Sequence, residues 1–301
     1  MNPRTMARSG FVAIVGRPSA GKSTLLNALC GHKISIVSPV PQTTRNRIRG
    51  ILTDRRGQIV FLDTPGFHNS ERRFNRYMRD LVLESLEEVE AVLYVLDATR
   101  SPGEEESTLA HMLSEVRVPV VCAVNKTDHP RNAAADVAAF ARQHLPTAEI
   151  RPVSAATGAG LAELTDTLFV PLPEGEPYYP EEFYTDQEPA LRIAEIVREK
   201  AIFELTQELP HALYVEIADM EMRAGSAGAE GHLWVRAFVV VERESQKGIV
   251  VGRGGARVRD IRVKAEAELA EIFPYPVKLD VRVKAQPKWR TNETLLKRIV
   301  R

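Results

Sequence analysis

Features that would indicate an exported or membrane-embedded protein are missing from this 301-residue chain. No apolar run approaches the roughly 18 residues of a bilayer-spanning helix, and residues 1–10 lack the apolar core of a signal peptide. The chain has only two cysteines, Cys30 and Cys122, and neither has metal-ligand spacing with a partner. Both lie in segments predicted to be buried, so we interpret them as small core residues. These absences favour a reducing, cytoplasmic location.

Net charge is absent too, because 40 basic side chains balance 40 acidic ones. The balance is uneven along the chain. Residues 181–246 carry 6 Lys and Arg against 14 Asp and Glu, whereas residues 247–301 carry 14 against 6. A basic C-terminal segment is a candidate surface for a polyanion, although charge alone is equally typical of a solvated face.

The first half of the chain alternates apolar runs with helical patterns, which predicts an α/β fold with a mostly parallel sheet and helices on both faces. Each predicted buried strand is followed by polar residues. These strands are Phe11–Val15, Ile59–Leu62, Ala91–Leu96, Val118–Val124 and Ile150–Val153. Ile51–Thr53 is predicted to pair antiparallel with Ile59–Leu62. Because ligands of open α/β sheets bind at the carboxyl ends of the strands, the polar residues there are site candidates.

A segment rich in proline, tyrosine and acidic residues divides the chain. Proline lacks the amide hydrogen that helix interiors and central strands need, so residues 173–189 are predicted to be an extended linker. We expect one domain over residues 1–172 and a second over residues 190–301. The apolar pattern of the second predicts the order α-β-β-α-α-β, with a closing helix at Glu293–Val300.

The strongest motif follows the first predicted strand. Gly16-Arg17-Pro18-Ser19-Ala20-Gly21-Lys22-Ser23 fits G-x-x-x-x-G-K-[ST], the phosphate-binding loop, and Thr24 continues it into a helix. The free N–H groups and the dipole at the start of that helix face the phosphates. We expect Lys22 to reach the β- and γ-phosphates as a catalytic residue, and the Ser23 hydroxyl to bind Mg²⁺.

A second motif, Asn125-Lys126-Thr127-Asp128, has the N-K-x-D pattern that selects the base. The Asp128 carboxylate can accept hydrogen bonds from the N1–H and amine of guanine, whereas adenine has an acceptor at N1 and no amine beside it. A buried polar group without a partner costs about 1–3 kcal/mol. The two motifs together therefore predict GTP and GDP as ligands. Lys126 is expected to lie along the base, and Ser154-Ala155-Ala156 to supply an amide near guanine O6.

Two further segments complete the predicted nucleotide site. Asp63-Thr64-Pro65-Gly66 ends a buried strand and fits D-x-x-G, in which Asp63 holds Mg²⁺ and the Gly66 amide senses the γ-phosphate. Thr43 and Thr44 are both candidates for the threonine that covers the metal. We favour Thr44 and count it with Lys22 among the catalytic residues.

Phe67, which follows D-x-x-G, stands where Ras-type GTPases have a glutamine that orients the attacking water. Phenylalanine has no polar atom that could orient a water molecule. Phe67 could also be a packing residue, and the two interpretations are compatible. We expect slow intrinsic hydrolysis, accelerated by a partner or by K⁺.

The second domain contains Gly252-Arg253-Gly254-Gly255, which fits the G-x-x-G loop with which KH domains clamp about four single-stranded nucleotides. A lone G-x-x-G is most often a turn. The predicted α-β-β-α-α-β order and the basic segment favour the KH interpretation. Arg257 and Arg259 continue the basic character and complete the candidate RNA-binding set.

Both halves together resemble the Era family of bacterial GTPases over essentially the whole chain. The resemblance depends on the matched segments Gly16–Thr24, Pro41–Arg45, Asp63–Gly66, Asn125–Asp128, Ser154–Ala156 and Gly252–Gly255. It implies a P-loop GTPase domain followed by an α+β type II KH domain. It also implies binding to the 3′ end of small-subunit ribosomal RNA, a role in 30S subunit assembly, and RNA binding that GTP favours and hydrolysis reverses. Peripheral association with the inner face of the cell membrane is a further implication, and we expect a monomer.

Three other functions are compatible with parts of this pattern. The second domain could dock a protein, in which case the glycine-rich loop is structural. The chain could bind RNA constitutively, with a nucleotide site that only supports the fold. A P-loop kinase is disfavoured, because N-K-x-D has no role in phosphorylating a small acceptor.

Overall fold

The chain folds, in a computed structural model, into two compact units, residues 1–186 and residues 187–300. The structure describes residues 7–38, 40, 43–67, 80, 82–205, 213–225, 231–292 and 294–296. Within these ranges no helix has both the length and the apolar character needed to cross a bilayer.

The first unit is built on a six-stranded sheet in the order β2-β3-β1-β4-β5-β6. Its strands are β1 (Arg8–Val15), β2 (Ile48–Asp54), β3 (Gly57–Asp63), β4 (Ala91–Asp97), β5 (Val120–Asn125) and β6 (Glu149–Pro152). β2 is antiparallel to β3, and all other neighbours are parallel. The predicted hairpin is confirmed, since Ile51 pairs with Val60. β5 begins at Val120 rather than at Val118, because Pro119 has no N–H to donate to a neighbouring strand.

Helices cover both faces of this sheet, as predicted. They are α1 (Lys22–Cys30), α2 (Glu104–Ser114), α3 (Ala134–His144) and α4 (Leu161–Phe169), and residues 82–87 are also helical. Side chains alternate along a strand, so Val12 and Ile14 of β1 pack in one apolar cluster with α1 and α4. Ala13 and Val15 pack in a second cluster with α2 and α3. The apolar runs at the centre of the sheet are therefore strands buried on both faces. The predicted buried strand at Ile150–Val153 is instead the edge strand β6, whose residues are half-buried or exposed because it has a neighbouring strand on one side only.

The two cysteines occupy opposite cores, as expected for small apolar residues. Cys30 belongs to the first cluster and Cys122 to the second. Burial raises the pKa of each thiol to about 12. Neither forms the thiolate needed for redox or nucleophilic chemistry near neutral pH.

The predicted linker begins with residues that pack on the first unit. Gln58 of β3 donates to the Tyr179 carbonyl and accepts from the Tyr179 amide, both at 2.9 Å. Further along, the Ile51 amide of β2 donates to the Tyr184 carbonyl at 2.9 Å. Residues 173–188 contain no helix, and part of this stretch covers the outer edge of the sheet at β2. The linker over residues 173–189 stays a prediction, but its first part is attached to the first unit.

The second unit has the predicted order α-β-β-α-α-β. Its elements are α5 (Pro189–Glu204), β7 (Tyr214–Arg223), β8 (His232–Val241), α6 (Glu244–Val251), α7 (Ala256–Ile272) and β9 (Val277–Ala285). β8 lies between an antiparallel β7 and a parallel β9. The helices pack on one face of this sheet around Val197, Val235 and Ile261. The predicted closing helix at Glu293–Val300 falls outside the described residues, apart from 294–296.

A short 3₁₀ turn, Trp289–Thr291, follows the last strand. The Trp289 side chain is completely buried. Its ring centroid lies 5.0 Å from that of Tyr214, on the edge strand β7. Large buried aromatic rings make some of the largest single contributions to core stability, so this pair attaches the chain after β9 to the sheet.

We expect Trp289→Ala to lower the free energy of unfolding of the second unit by about 3–5 kcal/mol, because it removes a fully buried ring. The two tryptophans of the chain, Trp234 and Trp289, both lie in this unit, so urea denaturation followed by tryptophan emission reports on it. Trp234→Ala, which truncates a partly exposed ring, is the control and should cost less than half as much. Equal losses would contradict the packing role of Trp289.

Candidate functional site

Polar loops converge at the carboxyl edge of the first sheet, as predicted. β1, β3, β5 and β6 are parallel, so the residues that follow them lie along one edge. Residues that follow β1, β3 and β5 line part of a cleft of about 320 Å³, at the lower end of the usual range for small-molecule sites. Its lining includes the phosphate-loop residues Pro18, Ser19, Gly21, Lys22, Ser23 and Thr24, together with Thr43, Thr44, Gly66 and Lys126.

Lys22 lies buried inside the phosphate loop. Its Nζ donates to the carbonyl of Gly16 at 3.0 Å and to that of Arg17 at 2.9 Å. Burial lowers the pKa of Lys22 to about 8, although the charge of Asp63 opposes the shift. A buried ammonium group favours an anion beside it, so the loop is suited to a phosphate ligand.

A close contact joins the phosphate loop to the base motif. Gly21 has φ 95°, and a Cβ there would lie 2.4 Å from Nδ2 of Asn125, so only glycine fits. Asn125, 1% exposed, donates from Nδ2 to the Ala20 carbonyl at 3.0 Å. Its Oδ1 accepts from the Ala155 amide at 3.0 Å. One side chain therefore links Gly16–Ser23, N-K-x-D and Ser154–Ala156.

The other two residues of N-K-x-D are also fixed by neighbouring loops. Lys126 donates from Nζ to the Ser19 carbonyl at 2.7 Å and pairs with Asp97 Oδ2 at 2.8 Å. Asp128 is exposed, and its Oδ1 accepts from the Ser154 hydroxyl at 2.6 Å. Ser154 thus orients the carboxylate predicted to read the base, while Ala156 is exposed beside it.

The three residues predicted to bind the metal lie together. The Ser23 hydroxyl donates to Asp63 Oδ2 at 2.9 Å and lies 2.7 Å from the Thr44 hydroxyl. The Thr43 hydroxyl instead donates to the Val40 carbonyl at 2.6 Å. Of the two candidate threonines, Thr44 is therefore the one next to Ser23 and Asp63.

The environment of Asp63 fits a divalent cation. The residue is fully buried, and its Oδ1 has no hydrogen-bond partner among the described residues. Burial raises its pKa, against the opposing effects of Lys22 and of the Ser35, Ser23 and Thr44 hydroxyls. An unsatisfied carboxylate oxygen beside two hydroxyls is a set of hard oxygen donors, as Mg²⁺ prefers.

The D-x-x-G segment packs directly on the first strand and the phosphate loop. The Thr64 hydroxyl donates to the Ile14 carbonyl at 2.7 Å, and Pro65 is buried next to it. The Phe67 amide donates to the Gly16 carbonyl at 3.1 Å. The Phe67 ring is 2% exposed and belongs to the second apolar cluster. Phe67 is thus a packing residue, and its predicted consequence for hydrolysis stays a prediction.

Sequence reasoning missed the ion pairs behind the phosphate loop. The Arg17 guanidinium lies 2.7 Å from Glu106 and 3.7 Å from Asp97, so its side chain points away from the loop toward α2. Burial opposes the charged form of Asp97, but the hydrogen bond from Lys126 contributes to a net lowering of its pKa. Asp97 ends a buried strand just as Asp63 does, and that signal could have identified it.

The glycine-rich loop of the second unit connects α6 to α7 as predicted. Gly252, Gly254 and Gly255 have φ values of 74°, 55° and 78°, in the left-handed region that glycine adopts without a Cβ penalty. Arg253 between them is exposed.

The predicted basic residues after this loop have different surroundings. Arg259 is exposed, so its charge is accessible to a ligand. The Arg257 guanidinium of α7 instead donates to the Ile249 carbonyl of α6. This hydrogen bond connects the two helices on either side of the glycine-rich loop. Lys264 pairs with Glu204 and contributes little net charge.

These features define a class of protein. A phosphate loop, D-x-x-G and N-K-x-D at the carboxyl edge of a mostly parallel sheet are those of a P-loop GTPase domain. The order α5-β7-β8-α6-α7-β9, with a glycine-rich loop before α7, is that of a type II KH domain. The chain is thus a GTPase with a C-terminal KH domain.

Comparisons with known proteins agree with this assignment. Residues 11–126 match the family described as "50S ribosome-binding GTPase" and residues 208–290 match "KH domain". The chain is 46% identical to GTPase Era of Treponema denticola, over 97% of this chain and 99% of that one. It therefore belongs to the Era family of GTPases.

Two solved structures have the same fold throughout. One is an Aquifex aeolicus Era variant bound to GDP and AlF4⁻, with TM-score 0.90 and 36% identity over 97% of this chain and 98% of that one. The other is Era in complex with MgGDPNP and nucleotides 1506–1542 of 16S ribosomal RNA, with TM-score 0.91 and 36% identity over the same shares.

We expect Ser154→Ala to raise the Kd for GDP about tenfold, or ~1.4 kcal/mol, because Asp128 loses the hydrogen bond that orients it. Titration of a fluorescent GDP analogue measures this. Ser114→Ala, which removes an exposed hydroxyl at the end of α2, is the matched control and should change nothing. An unchanged Kd in Ser154→Ala would show that Asp128 is oriented without Ser154.

Proposed function

We propose that this GTPase is a Mg²⁺-dependent switch that binds the 3′ end of small-subunit ribosomal RNA through its KH loop and acts in assembly of the 30S subunit. The main support is the hydrogen-bonded junction at Asn125, which joins the phosphate loop, the base motif and Ser154–Ala156 at one edge of the sheet. A site that holds phosphate and guanine together is what a GTP switch requires. The relative bound to MgGDPNP and 16S RNA supports the RNA half of the proposal.

The residues of the cleft have separate roles in this proposal. Lys22 contacts the β- and γ-phosphates, and backbone amides of the phosphate loop surround them. Ser23, Thr44 and Asp63 hold Mg²⁺, which when bound neutralises charge on the phosphate oxygens. The Gly66 amide senses the γ-phosphate.

Hydrolysis is slow in the isolated protein, because Phe67 offers no polar atom to orient water. Acceleration by K⁺ or by a partner, the monomeric state and peripheral membrane association stay predictions from the resemblance and the motifs.

Guanine selectivity tests the nucleotide half of the proposal. We expect Asp128→Asn to weaken GDP binding at least a hundredfold, because the asparagine amide cannot accept both hydrogen bonds of guanine. Xanthine has a carbonyl in place of the guanine amine, so the same variant should gain affinity for XDP. Competition binding with GDP, XDP and ADP measures both changes.

Asp136→Asn is the matched control for this variant, since Asp136 is an exposed aspartate on α3, and it should keep the wild-type preference. If Asp128→Asn also kept a strong preference for GDP, the assignment of base recognition to this residue would be wrong.

RNA affinity tests the other half. Arg253→Asp places a negative charge in the exposed glycine-rich loop and should weaken binding of a labelled 3′-terminal fragment of small-subunit RNA at least tenfold. Loss of one phosphate contact should also lower the salt slope by about 1. Titrations at several salt concentrations measure both quantities.

Arg142→Asp, which makes the same charge change on an exposed residue of α3, is the control and should bind RNA like the wild type. An equal loss in both variants would mean a non-specific charge effect. The absence of RNA binding in the wild-type protein would favour a protein-docking role for the second unit.

A further inference from the structure

Asp63 receives a hydrogen bond that no motif of the sequence accounts for. The Ser35 hydroxyl donates to Asp63 Oδ2 at 2.8 Å. Ser35 is 1% exposed and lies in the connection between α1 and β2, nine positions before Thr44. A buried hydroxyl that donates to a buried carboxylate stabilises its charged form and restricts its orientation.

The position of Ser35 is itself fixed by the helix that carries the phosphate-loop residues. Asn27 Oδ1 accepts from the amides of Ile34 at 2.8 Å and Ser35 at 2.9 Å, and its Nδ2 donates to the Ser35 carbonyl at 2.8 Å. One amide side chain thus makes three hydrogen bonds to this short stretch of backbone. Asn27 also lies one helical turn after Ser23, on the same face of α1.

The two oxygens of Asp63 consequently differ. Oδ2 accepts from Ser23 and from Ser35, whereas the buried Oδ1 has no hydrogen-bond partner in the described part of the chain. Ser23 belongs to the proposed metal set, so in the metal-bound protein its hydroxyl would interact with both the cation and Asp63. Ser35 does not belong to that set, so its hydroxyl has no second role as a metal ligand and its side-chain hydrogen bond goes to Asp63.

We propose that Ser35, fixed by Asn27, is a positioning residue that holds the Asp63 carboxylate for Mg²⁺ and thereby sets the Mg²⁺ affinity of the nucleotide complex. The inference rests on the proposed Mg²⁺-dependent function. Groups that orient a metal-binding residue commonly change metal affinity ten- to a hundredfold when removed. We expect loss of the Ser35 hydroxyl to change Mg²⁺ affinity rather than nucleotide affinity. Its partner is the metal-binding Asp63, and Ser35 lies outside the phosphate loop and N-K-x-D.

The test compares Mg²⁺ titrations of a fluorescent GDP analogue bound to the full chain. Ser35→Ala should raise the half-saturating Mg²⁺ concentration about ten- to a hundredfold. Its affinity for the analogue in EDTA should stay within twofold of wild type. If Ser35 only supported the fold, Ser35→Ala would weaken nucleotide binding both in Mg²⁺ and in EDTA. The measurement in EDTA therefore distinguishes a structural role from a role in positioning the metal-binding carboxylate.

Two further variants complete the design. Ser9→Ala removes another buried hydroxyl of the first unit, one that contacts the Gly175 carbonyl, and should leave the Mg²⁺ titration unchanged. Asn27→Ala keeps the Ser35 hydroxyl but frees its backbone, so it should shift the titration in the same direction. The double variant of Asn27 and Ser35 should be no worse than Ser35→Ala, because both act through one hydrogen bond.

The inference is overturned if the half-saturating Mg²⁺ concentration of Ser35→Ala stays within twofold of wild type. It is equally overturned if affinity in EDTA falls as much as affinity in Mg²⁺. Should wild-type binding of the analogue not respond to Mg²⁺ at all, the proposed function fails and the inference with it. That outcome is distinguishable, because it appears before any variant is made.

Discussion

The arrangement of the nucleotide site depends on the buried amide of Asn125. Its Nδ2 donates to Ala20 and its Oδ1 accepts from Ala155, so one planar group sets the spacing between three loops that are far apart in the sequence. Gly21 makes this possible because a side chain there would collide with the same amide. Leaving a buried amide without hydrogen-bond partners destabilises the folded state by more than a typical hydrogen bond stabilises it. The three loops are therefore expected to be ordered together or not at all.

Charge is the second constraint, and it explains why the site favours a nucleotide with its cation. Lys22, the first residue of α1, and Asp63, the last residue of β3, are both buried, and burial disfavours the charged form of each. A phosphate compensates the lysine, and a divalent cation compensates the carboxylate. Behind the loop, the two cations Arg17 and Lys126 pair with the two carboxylates Asp97 and Glu106. This network supports the backbone and carries no net charge.

Much of this could be predicted from the sequence because the signals are local. The phosphate loop, D-x-x-G and N-K-x-D each combine their own residues with a preceding apolar strand, and the parallel sheet brings them to one edge. The hydrogen bonds of Asn27 and Ser35 could not be predicted, because neither residue type is unusual in a helix or a loop. The packing of Tyr179 on Gln58 was missed for a similar reason. Proline-rich composition predicts an extended backbone, but it does not say which surface that backbone contacts.

The central claim is that the state of the nucleotide controls RNA binding by the second unit. The most direct measurement is the affinity of the full chain for a labelled 3′-terminal fragment of small-subunit RNA, with GDP and with a non-hydrolysable GTP analogue at one fixed salt concentration. The account predicts tighter binding with the analogue. Equal affinity in the two states would contradict it and would indicate a constitutive RNA-binding protein.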